Sequence, residues 1–77
     1  MDARTMKLVL NEHHDKLLND LKDFMARRRA EKSNNQYGLL DNKQKAKIDS
    51  EIIMEPRYVN LKIRVMETES IMSELNV

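Results

Sequence analysis

Glu12, His13, His14 and Asp15 form the densest run of groups able to ligate a metal or carry a proton. A helix presents two ligands to one metal only when they are three or four residues apart and so share a face. At those distances His14 meets Leu10, Leu17 and Leu18, and His13 meets Leu10, Lys16 and Leu17. Neither finds a second ligand. No metal site is expected, and the pair reads as two histidines at the edge of a helix interface, where protonation can make packing pH-sensitive. Asp49, Glu51 and Glu55 lie close together in sequence. Paired carboxylates act as acid and base only when their environments push their pKa values apart, and nothing in the surrounding residues suggests a pocket. They read as a solvated helix face. No serine or threonine sits in a nucleophile setting, and the single glycine, Gly38, cannot make a phosphate-cradling loop. No catalytic residue and no cofactor are expected, and the chain reads as a non-enzyme.

Arg27, Arg28 and Arg29, with Lys32, form a basic cluster. Lys43, Lys45 and Lys47 follow after a turn region, at the same tip if the chain folds back there. Over residues 27–47 these seven basic side chains face only Glu31 and Asp41, a net charge of +5. Residues 67–77 carry Glu67, Glu69 and Glu74 with no base, a net charge of −3. Cations near a helix C-terminus are favourable in themselves. A basic tip is also the electrostatic footprint of phosphate binding, and the seven residues are candidate nucleic-acid contacts. Tyr37 is the one aromatic beside them, too few for single-strand recognition by stacking.

The elements that would carry these residues are set by two apolar stripes. Met6, Leu10, Leu17, Leu21 and Phe24 step by threes, fours and their sums, as do Tyr58, Leu61, Val65, Met72 and Leu75. That spacing places side chains on one face of an α-helix. Asp2 is the candidate N-cap of a first helix running to about Lys32. A strand at Thr5–Leu10, with Asn11 capping a helix from Glu12, is the alternative start. Ser33 to Gly38 breaks the pattern, and Gly38 is expected to take the left-handed conformation that ends a helix, with Leu39 folding back as its apolar contact. Asp41 and Gln44 have capping-box spacing, so a second helix is expected from Asn42 to about 76. Pro56 either kinks that helix or starts a third. Over 58–75 a seven-residue repeat runs through Tyr58, Leu61, Val65, Thr68, Met72 and Leu75. Yet Val59, Leu61, Ile63 and Val65 alternate with Asn60, Lys62 and Arg64, which is also a strand pattern. The fold class expected is all-α: an antiparallel helical hairpin of helices 2–32 and 42–76 in a single domain spanning 1–77, associating with a second hairpin into a helical bundle. The alternative is α+β with a strand at 57–66. In that case Asn60, Lys62 and Arg64 would share one face of a two-chain ribbon able to enter a groove.

At 77 residues the chain can bury only a small core. Without cysteine it has neither disulfides nor thiolate metal sites to reinforce that core. Two helices would also leave Leu8, Val9, Ile53, Ile63, Met66 and Ile71 in water. This surplus argues for association with a second copy, as dimer or tetramer, or with another protein. The charged fraction is 35% and the net charge +1, which excludes bulk attraction to nucleic acid or membrane. No apolar run approaches the roughly 20 residues that span a bilayer, nor the continuous apolar core of a signal peptide. A cytoplasmic location is the default expectation.

The function expected is a small protein-interaction module acting through an apolar helical face, of the inhibitor, adaptor or co-chaperone type, such as a phage or other mobile element encodes. Its candidate interface residues are Leu17, Leu21, Phe24, Leu61, Val65 and Met72. Methionines suit such a surface because they adapt to different partners. The rival expectation is a nucleic-acid-binding helical dimer using the basic tip.

Overall fold

The computed structural model describes residues 2–75 and is built from helices. Helix α1 spans Ala3–Lys32, α2 spans Asn42–Ile52 and α3 spans Pro56–Leu75, with one 3-10 turn at Tyr37–Leu39. The strand alternatives are corrected: residues 5–10 and 57–66 are helical, and no strand occurs among the described residues. The long helix therefore starts at the N-terminal end, where the Asp2 carboxylate accepts the Thr5 backbone N–H at 2.8 Å. That hydrogen bond holds the Asp2 carboxyl below the usual carboxylate range. The expected end of the last helix at 76 lies outside the described residues.

α1 ends differently from the expectation. Asn34 and Asn35, with φ of 54° and 63°, take the left-handed conformation, and Gly38 does not. The Asn35 N–H donates to the Ala30 carbonyl at 2.8 Å and the Asn34 N–H reaches the Glu31 carbonyl at 3.5 Å. This is the Schellman pattern, with asparagine where glycine is commoner. Leu39 does not fold back; it is 85% exposed. α2 opens with a complete capping box: Asp41 accepts the Gln44 N–H at 2.8 Å, and the Gln44 side chain accepts the Asp41 N–H at 3.2 Å.

Pro56 starts a third helix. It has no N–H to continue α2, and it disfavours helical geometry in the residue before it. The Ile52 carbonyl accepts instead from Glu55 N–H at 3.0 Å, and Pro56 occupies the first position of α3, where a missing donor costs nothing. His14 meets Glu69, Arg28 meets Glu55 and Lys32 meets Glu51. Phe24 packs with Leu61 and His14 meets Glu69, so α3 lies alongside α1 with numbers falling along α3 as they rise along α1. The seam is made by the seven-residue repeat. In α3, Leu61, Val65 and Thr68 are buried and Tyr58, Met72 and Leu75 half-buried. In α1, Leu17 and Phe24 are buried and Leu10, His14, Leu21 and Arg28 half-buried. Thr68 fits this apolar seam because its hydroxyl donates to the Arg64 carbonyl at 2.8 Å within its own helix. All three helices meet where Phe24, Ile52 and Leu61 pack together.

The product is a rod of 49 × 20 × 17 Å. Its radius of gyration is 16.0 Å, against about 11.5 Å for a compact domain of this length. Its accessible surface is 6005 Å², against about 4,900 Å² for a compact monomer of this mass.

Candidate functional site

The basic residues of α1 sit where its last two turns pass α2 and the start of α3. Arg28 Nε donates to Glu55 Oε1 at 2.7 Å and Arg28 Nη1 to Glu31 Oε2 at 2.6 Å. Arg29 grips Asp49 with two bonds of 2.9 and 3.0 Å, the planar fork that arginine offers a carboxylate. Lys32 Nζ lies 3.2 Å from Glu51 Oε2. The Tyr37 hydroxyl donates to the same Asp49 carboxylate at 3.0 Å, while the Arg29 guanidinium lies over the Tyr37 ring, 4.8 Å from its centre. Lys45 approaches that ring at 5.5 Å.

The shifts in acidity follow from these bonds. The Arg29 guanidinium, helped by the Tyr37 hydroxyl, holds the Asp49 carboxyl below its ordinary range. Asp49 in turn raises the Arg29 guanidinium, and Glu55 with Glu31 raises that of Arg28. Desolvation, then the bond to Asp49, raises the Tyr37 phenol.

Asp49, Glu51 and Glu55 are therefore not a plain solvated face; each is the partner of a basic residue on α1. The sequence signal for this role lies just past residue 47. Residues 48–55 add these three acids and no base, which lowers the net charge of the tip from +5 to +2. Of the seven candidate phosphate contacts, Arg28, Arg29 and Lys32 are engaged in ion pairs. Arg27, Lys43 and Lys47 are exposed and make no ion pair among the described residues.

His13 is exposed, and His14 lies in the α1 seam. His14 Nε2 is withdrawn from solvent and stands 3.4 Å from Glu69 Oε1, without the alignment of a hydrogen bond. Among the described residues no group of three or more histidine, aspartate or glutamate side chains converges as a metal site would require. The surface depressions beside the turn are open grooves; one is lined by Ala26, Arg29, Ala30, Asn35, Tyr37 and Gly38. Among the described residues no helix is long and apolar enough to cross a membrane.

The six candidate interface residues, Leu17, Leu21, Phe24, Leu61, Val65 and Met72, are buried or half-buried within the single chain. Leu17, Phe24, Leu61 and Val65 are buried there, with Val65 at 1% exposure. The apolar surface left open is a different set. Leu8, Val9, Ile53, Ile63, Met66 and Ile71 are exposed, as the helical reading expects, and Val59 and Met54 join them. No family model, curated protein or solved structure matches this chain.

Proposed function

We propose that this chain is a small non-enzymatic protein-interaction module, an antiparallel helical hairpin that works by laying an apolar helix face against another polypeptide. One observation carries the reading: among the described residues ten large hydrophobic side chains are exposed, while five hydrophobic ones are buried. A soluble surface scatters single hydrophobics, but a contiguous apolar stripe marks an interaction site. Val59, Ile63 and Met66 form such a stripe along α3. The six seam residues hold that helix in place, and the stripe meets the partner. Inhibitor, adaptor and co-chaperone roles all fit a rod of this size with no further machinery.

A photo-crosslinking amino acid at Ile63 or Met66, introduced in the native host, tests the proposal. Discrete protein adducts are expected at both positions, and none at Asn19, exposed on α1. Absence of any adduct at 63 and 66 contradicts it. Retardation of a duplex or structured RNA at low salt, removed by substituting Arg27, Lys43 and Lys47 with alanine, would favour the nucleic-acid reading instead.

A further inference from the structure

We infer that the polypeptide covering this stripe is a second copy of the chain, with the two α3 helices paired antiparallel about a two-fold axis beside Met66. The inference rests on the interaction-module reading and adds the identity, direction and register of the partner.

α3 carries two seams. The first, through 58, 61, 65, 68, 72 and 75, faces α1. The second runs through Val59, Ile63, Met66, Ser70 and Ser73, again in alternating steps of four and three. At about 100° per residue its mean direction lies roughly 150° from the first. All five residues are exposed. A four-three alternation is the spacing at which one helix packs along another. α1 has already used the opposite side, so a second helix is what this seam fits.

Charge identifies that helix. Residues 56–66 contain Arg57, Lys62 and Arg64 and no acid; residues 67–75 contain Glu67, Glu69 and Glu74 and no base. This order opposes the helix's own dipole, which favours acids at the N-terminus and bases at the C-terminus. Among the described residues only Glu69 of these six approaches an opposite partner, His14. An antiparallel copy of α3 lays the basic half of each helix on the acidic half of the other. A parallel copy would set like charges side by side.

Size fixes the register. With the axis beside Met66, Val59 stands level with Ser73 of the other copy, Ile63 lies within one residue of the level of Ser70, and Met66 meets its own equivalent. Each branched side chain thus meets a small one, the interdigitation that close packing needs. The same register places Lys62 next to Glu69 of the other copy on one flank, twice by symmetry. Area allows it as well. The rod's surface of 6005 Å² exceeds that of a compact monomer by roughly 1,100 Å², more than the about 800 Å² per partner of a standard interface.

The chain has no cysteine, so introduced thiols report register cleanly. Light scattering is expected to give twice the chain mass. Under mild oxidation Met66→Cys is expected to form a disulfide dimer. Ile63→Cys alone is not, and Ile63→Cys combined with Ser70→Cys is. Lys62→Glu, at an exposed position, is expected to weaken the dimer by at least about tenfold while leaving helicity intact, and adding Glu69→Lys is expected to restore it. Cross-linking of Ile63→Cys alone as readily as Met66→Cys overturns the antiparallel register. A monomer at every concentration overturns self-pairing; if Met66 still gives a photo-adduct with a different protein, the interaction-module reading survives, and if it gives none, both fail.

Discussion

At the scale of single residues, Asp49 ties α2 to two other elements, since Arg29 on α1 and Tyr37 in the turn both donate to it. Replacing it with asparagine removes the charge and keeps the shape, and is expected to cost about 1 kcal/mol, read as a lower midpoint in thermal unfolding followed by circular dichroism. The wild-type pH profile follows from the directions of two shifts. The Asp49 carboxyl is lowered on folding, so its contribution is complete above the unfolded value of about 4 and is lost as pH falls through the folded one. The Tyr37 phenol is raised, so its contribution is complete below about 10 and is lost as pH rises further. Asp49→Asn is expected to flatten the acid limb of that profile. The turn offers a paired comparison. Asn34→Ala is expected to cost about 1 kcal/mol because alanine tolerates positive φ poorly. Gly38→Ala is expected to be neutral or slightly stabilising, because Gly38 has no positive φ and an added Cβ meets nothing within 4 Å. The sequence points at Gly38 because glycine is the commonest residue in this conformation. Asparagine competes for the same role, and the choice between them depends on where the helix hydrogen bonds run out.

At the scale of elements, the local signals were legible: the Asp2 cap, the Asp41–Gln44 box, Pro56 at a helix start, and the repeat from Tyr58 to Leu75. The ambiguity at 57–66 has a physical origin. Leu61 and Val65 face α1 while Val59 and Ile63 face outward, so a helix apolar on two sides imitates the alternation of a strand. Pairings such as Arg29 with Asp49 were not legible, because they depend on how α2 lies along α1 rather than on neighbours in sequence. The junction of the three helices is where packing matters most. Ile52 is 0% exposed there, and Ile52→Ala is expected to cost about 3 kcal/mol in denaturant unfolding. Asp41→Ala is expected to cost about 1 kcal/mol by removing the cap of α2.

At the scale of the whole molecule, the fold leaves more apolar surface than its small core uses, and the ordered part of that surface runs along the outer side of α3. A thin rod has few ways to hide it except against another chain. Two methionines give an internal comparison for whether that side is covered. Met54 and Met66 are 79% and 59% exposed in the single chain, and neither belongs to the core. Peroxide oxidation of the protein at its natural abundance in host extract, with the sulfoxide at each position quantified by mass spectrometry, is the most direct test. If the outer side of α3 is an interface, Met66 is expected to oxidise far more slowly than Met54, and Ile63→Asp is expected to narrow the difference to the small one set by their exposures in the single chain. Oxidation of Met66 as fast as Met54 in the wild-type protein would contradict the account.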